Sequence, residues 1–278
     1  MQSLPRPTDT TLTVFRACVG SIGKRTLRNK FAKIEQEIES ASTAYEQLAE
    51  ISELYTIPST KGVGKISAKQ MSGLYNGQML RKDTPGRFFY EKILASAPYE
   101  TCPLCVHRSV STLDHHLGKM EHPVFAVTPF NLIPSCWECN KAKSHHFPKT
   151  VGEQTLHPYF DDIRTIPWLT ADVQHTVPAA LLYRVADPAG LDPVLRERIQ
   201  QHFDLLGLAN LYGTQAAKEM VNIRGLLRTT HHADGAMGVK NHLERMAQSC
   251  SGPDLNSWQS VMYRILSDSD WFCDNNFG

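Results

Sequence analysis

The strongest periodic pattern lies near the start of the chain. Phe31, Ile34, Ile38, Ala41, Tyr45, Leu48 and Tyr55 recur at helical steps, with Lys, Glu and Gln between them. This predicts one amphipathic helix from about Asn29 to Leu54, closed by Pro58. A stripe of that length can pair with a partner helix, although its commoner use is to pack on its own domain. Before it, Thr10 to Phe15 follows two prolines and reads as a short strand. After it come a basic loop at Lys61–Lys65, a short helix over 67–76, a turn at 83–87 and an aromatic helix at 88–94. The loop lacks the spacing of a phosphate-binding loop, so no nucleotide site is read there. Farther on, Thr176 to Val185 reads as a strand. Apolar spacing places helices at about Pro193–Leu206, Thr214–Leu227, Val239–Cys250 and Ser257–Leu266. No internal repeat or low-complexity tract is present.

Composition adds limits. With 278 residues, 41% hydrophobic and 21% charged, the chain can bury a core. No apolar run of membrane-spanning length and no secretory leader is visible, so no membrane partner is expected and the expected compartment is cytoplasmic. Net charge is only +1, which argues against a dedicated polyelectrolyte binder. Charge is unevenly spread, however. Between Lys61 and Lys92, seven Lys and Arg face only Asp83 and Glu91, a local excess of +5 that can neutralise phosphates or form a solvated face.

The chemistry concentrates between Cys102 and Lys143. Cys102-Pro-Leu-Cys105 and Cys136-Trp-Glu-Cys139 are two CxxC pairs at the separation of a four-cysteine zinc site. Four thiolates close the coordination sphere, so such a zinc is structural. Cys18, Cys250 and Cys273 are scattered and read as plain thiols. Between and after the pairs stand Asp114-His115-His116, Asn131 and Asn140.

That constellation resembles the HNH endonucleases, whose core is a hairpin and a helix around one divalent metal. The resemblance is strong over about 45 residues and loose from about 80 to 165. It implies an α+β, mostly helical protein with a small ββα-metal core at 81–165, clamped by the four-cysteine zinc site. Helical regions at 1–80 and 166–278 flank that core. His115 would be the general base and Asp114 a ligand of catalytic Mg²⁺ or Mn²⁺. Asn131 would stabilise the loop and orient the base, and Asn140 would complete the metal site. Lys143, Lys141 and Lys119 would contact phosphate or nucleic acid.

The residue types suit that chemistry. A hard divalent ion prefers the oxygens that Asp and Asn supply, and an imidazole accepts a proton near neutral pH. His116 is the rival base, and His145 or His146 is a further possible metal ligand. Relatives with the same leader often carry Pro where Gly118 stands, and Asn140 takes a position that is elsewhere His. The implied activity is metal-dependent phosphodiester hydrolysis, with DNA favoured over RNA and nicking as the simpler outcome for one site per chain. By analogy the setting is bacterial antiphage defence, with an ATPase partner. The alternative is a zinc-ribbon module that binds nucleic acid without cutting it.

Overall fold

The computed structural model describes residues 1–143, 146–252 and 254–277. The chain is α+β and mostly helical, with three separate two-stranded antiparallel sheets among the described residues. It divides into two compact units, Met1–Asp162 and Ile163–Gly278. Positions 1–80 and residues 81–162 of the expected 81–165 core thus share the first unit.

The first unit opens with α1, Thr11–Gly20, where a strand was expected. The β-branched run misleads because the apolar positions continue with helical spacing. Val14, Phe15, Cys18 and Val19 bury one face, and the Thr10 side chain caps the helix by accepting from the Thr13 amide. The single helix expected over 29–54 is instead two, α2 (Arg25–Ala32) and α3 (Glu35–Glu50). They break at Lys33–Ile34, where the amides of both residues bond three residues back. The apolar stripe survives the break. Phe31, Ile34, Ile38 and Tyr45 are all at most 3% exposed, so the stripe is consumed by the unit's own core. At its start α2 carries Lys24 and Arg25, with no acid in its first turn. Cations there oppose the helix dipole, at a cost of about 0.3–1 kcal/mol each.

A tight hairpin, β1 (Gly62–Val63) and β2 (Ile66–Ser67), replaces the expected flexible loop. It buries Val63 and Ile66 and leads through a Ser67/Gln70 capping box into α4, Ala68–Leu74. The helix continues as a π-helical turn over Tyr75–Met79. The expected turn at 83–87 is half turn and half helix, since Pro85 occupies the first position of α5, Pro85–Leu94. Gly86 is required there by close approach. A Cβ at this position would run into the Gln78 carbonyl oxygen and lie 2.7 Å from Cys18 Sγ. Then follow β3 (Thr112–His115), β4 (Leu132–Ser135) and α6 (Trp137–Lys143).

In the second unit, β5 (Leu169–Gln174) pairs antiparallel with β6 (Ala180–Val185). The strand expected from Thr176 begins only at Ala180, and its partner β5 was not expected. Leu169 and Ala171 on one strand, with Leu181, Tyr183 and Val185 on the other, form the buried face. Helices α7 (Pro193–Leu205), α8 (Leu208–Ser251), α9 (Trp258–Ser267) and α10 (Asp270–Cys273) complete the unit. The two helices expected at 214–227 and 239–250 are parts of α8, interrupted at Gly235 with φ 65°. No helix among the described residues is long and apolar enough to cross a membrane.

Replacing Gly86 with Ala should destabilise the protein by about 1–3 kcal/mol, the usual cost of overpacking. A thermal melt should fall by several degrees, and an unchanged midpoint would refute the close approach of Gln78.

Candidate functional site

The site is a strand–strand–helix unit. β3 and β4 pair with Asp114 opposite Ile133 and His115 opposite Leu132, and α6 follows β4 after one residue. Hairpins this short are marginal alone. Two devices hold this one, a cysteine cluster at one end and a buried asparagine at the other.

All four cysteines of the CxxC pairs are buried, and their sulfurs lie within 4.8 Å of one another. A tetrahedral zinc with bonds of about 2.3 Å would set sulfurs roughly 3.8 Å apart, and Cys105 Sγ and Cys136 Sγ are 4.0 Å apart. In each pair one sulfur accepts an amide three residues on. Arg108 N donates to Cys105 Sγ at 3.5 Å, and Cys139 N donates to Cys136 Sγ at 3.4 Å. Such donors favour thiolates. The cluster can therefore hold a structural metal such as zinc, joining the 102–108 knuckle to the start of α6. Cys18 and Cys273 are buried elsewhere and Cys250 is half-buried, so none of the scattered thiols joins it.

At the other end Asn131 is fully buried, and its side chain is saturated. Its Oδ1 accepts from Leu117 N at 2.7 Å and from Tyr45 Oη at 3.3 Å. Its Nδ2 donates to Leu117 O at 3.0 Å and Phe125 O at 3.2 Å. That fills the amide's two acceptor and two donor positions, leaving no atom for a substrate. Asn131 is thus a pin for the 117–125 loop.

Tyr45 and His157, to which sequence patterns assign no part, stand behind the pin. Tyr159 N donates to His157 Nδ1 at 3.2 Å, which puts the proton of the neutral ring on Nε2. That proton faces Tyr45 Oη at 3.0 Å, and Tyr45 passes its own proton on to Asn131. No local sequence signal could reveal this relay, because its members are 86 and 112 residues apart.

A cleft of about 310 Å³ opens beside the hairpin. Asp114, His115, His116, Lys119, Asn140 and Lys143 are among the residues lining it, with Gly118 and His146. His115 is half-buried. Its Nε2 lies 3.0 Å from Ala126 O, which can only accept, so Nε2 carries the hydrogen and Nδ1 keeps the lone pair. The Tyr75 ring meets the imidazole edge to face at 4.5 Å. Burial, aided by the Lys119 charge, pushes His115 down to about 3, so the ring is neutral at physiological pH. Asp114 is 4% exposed. Burial raises its carboxyl, while Lys143 and Lys119 pull it back down.

The three expected phosphate contacts separate. Lys143 is itself buried, and its ammonium lies 2.5 Å from Asp114 Oδ2, so it serves as the counter-charge of the carboxylate. Lys119 lines the cleft with its Nζ 5.4 Å from the Tyr75 ring centre, and burial lowers its pKa. Lys141 is exposed on α6 and is not among the cleft residues. His116, the rival base, lines the cleft with its ring centre 4.2 Å from that of His157, the two rings tilted by 35°. His145 lies outside the described residues. Gly118 is exposed, and a side chain there would meet the Glu121 carboxylate.

Two outcomes test this geometry. Metal analysis should find about one zinc per chain, and Cys136→Ser should lose it together with thermal stability; full stability without metal would refute the clamp. While Phe125 O keeps its bond from the Thr128 amide, Asn131→Ala leaves the Leu117 amide and carbonyl without partners, at about 1–3 kcal/mol each. Its loss in urea unfolding should greatly exceed that of Tyr45→Phe, and equal losses would show that Asn131 is no pin.

No protein-family model matches the chain, and no solved structure matches it. Over nearly its whole length the chain is similar to Protein ea31 of Escherichia phage lambda. The two are 27% identical over 293 aligned positions, which cover 98% of this chain and 99% of that protein.

Proposed function

We propose that the protein is a metal-dependent endonuclease of the HNH type that hydrolyses phosphodiester bonds in DNA. One observation carries this reading. A carboxylate (Asp114), an amide (Asn140) and an imidazole with Nδ1 as its acceptor (His115) line one cleft in a strand–strand–helix unit.

His115 is the general base. Ala126 and Tyr75 fix its ring, and its neutral state leaves Nδ1 ready to take a proton from water. Asp114 and Asn140 offer the hard oxygen donors that suit Mg²⁺ or Mn²⁺. Such an ion, when bound there, would neutralise the phosphate and the leaving oxygen. Lys143 holds the Asp114 carboxylate in place, and Lys119 adds positive charge at the cleft wall. Asn131 acts at one remove, since the loop it pins leads directly into Ala126.

A second reading, a zinc module that binds nucleic acid without cutting it, draws on the Lys143–Asp114 pair, which already satisfies the would-be metal ligand. The antiphage setting and the ATPase partner belong to the proposal through the HNH resemblance. Size-exclusion chromatography with a co-expressed neighbouring gene product tests that part, and full activity as a lone chain would count against it.

Incubated with supercoiled plasmid and Mg²⁺ or Mn²⁺, the protein should give relaxed or linear product, and EDTA should abolish it. His115→Ala should lower the rate by about 10²–10⁴-fold, the usual worth of a positioned base. Intact plasmid in every metal, or cleavage indifferent to His115, would sink the nuclease reading.

A further inference from the structure

The exposed cations on the first unit are distributed unlike those of the rest of the chain. Two segments, 24–33 and 61–82, together hold ten Lys and Arg and no Asp or Glu, in a protein of 29 basic and 28 acidic residues. Nine of the ten are exposed, and Arg28 is half-buried. Among the described residues none of them enters an ion pair, although Arg6, Arg16, Arg87, Lys92 and Arg184 all do. Their placement is also unfavourable for folding. Lys24 and Arg25 sit at the start of α2, and Lys69 sits in the first turn of α4, where the helix dipole repels cations. A merely solvated surface would mix signs and put acids at those positions.

The segments are tied to the cleft by specific contacts. Thr60, just before Lys61, donates its amide to the carbonyl of Glu121 at 2.8 Å, and Glu121 lines the cleft. Tyr75, on the π-helical turn between Lys69 and Arg81, meets the His115 ring at 4.5 Å and the Lys119 ammonium at 5.4 Å. The Gly64 turn next to Lys65 packs against Ile34, the residue after Lys33, and this brings the α2 cations alongside the hairpin. The acids next to these segments include Glu35, which pairs with Arg16, Glu37 at the Gly64 turn, Asp83 and Glu121.

From this we infer that α2, the β1–β2 hairpin and α4 form a backbone-binding track for duplex DNA leading into the His115 cleft. Lys61, Lys65 and Lys69 hold the phosphates nearest the cleft, and Lys24 to Lys33 hold those farther out. Duplex DNA fits by its charge density, about one phosphate per 1.7 Å of axis. Contacts of this kind are made to phosphates, so they bind without reading sequence. The track rests on the nuclease reading for its substrate, but its test does not require cleavage.

The experiment measures fluorescence anisotropy of a labelled 30-base-pair duplex against full-length His115→Ala protein, over a series of salt concentrations. The triple variant Lys61→Ala/Lys65→Ala/Lys69→Ala in the same background should bind at least about tenfold more weakly at low salt. Its salt slope should fall by about 0.9 for each phosphate that is no longer neutralised. Circular dichroism confirms that the variant folds, since all three side chains are exposed. In the wild-type background, the triple variant should still hydrolyse bis(p-nitrophenyl) phosphate, which is too small to use the track. Lysine-dependent DNA binding by a protein that hydrolyses no phosphodiester would keep the track and remove the nuclease. An unchanged salt slope, or no duplex binding at all, would overturn the track. So would lysine-dependent capture by anionic phosphatidylserine vesicles in place of DNA.

Discussion

A hairpin of two four-residue strands and a seven-residue helix cannot hold the geometry of this cleft unaided, and everything at this site depends on the constraints at its two ends. At one end four buried sulfurs gather the knuckle, the exit of β4 and the start of α6. A metal bound there would convert three loosely connected segments into one rigid corner, because its binding free energy would become folding free energy. Asp114 on β3 and Asn140 on α6 come from strands and helices that this corner sets relative to one another.

At the other end the constraint is a hydrogen-bond network. The saturated amide of Asn131 closes the 117–125 loop, and Ala126 just beyond that loop fixes the His115 tautomer. Behind it the Tyr45–His157 pair extends the same network across the core. Buried networks are stabilising only when every member is satisfied, and here the asparagine is. The pinned loop then leads into Ala126 in the one position that fixes the imidazole orientation.

Electrostatics points the same way. The pair between Lys143 and Asp114 lies almost wholly out of water. Desolvation makes such pairs weak contributors to stability and often replaceable by apolar residues. A buried carboxylate, raised by desolvation and partly offset by two lysines at the wall of a cleft, is therefore better understood through the cleft than through the fold. Desolvation also keeps the nearby imidazole neutral, which is the state a proton acceptor needs.

The sequence by itself determined the local chemistry. The cysteine spacing identified a cluster that does close in space, and the Asp-His, Asn and Asn positions marked out residues that do gather around one hairpin. It also specified a mostly helical chain, because helical periodicity depends only on neighbours a few residues apart. From Thr10 to Phe15 it misleads, since β-branched composition is weak evidence against packing context. Only the tertiary structure decided which lysine is exposed and which is buried on Asp114. It alone showed that Asn131 spends every polar atom on the loop, and that Tyr45 and His157 stand behind it. Those outcomes are set by contacts between residues far apart in the chain, and linear spacing carries no record of them.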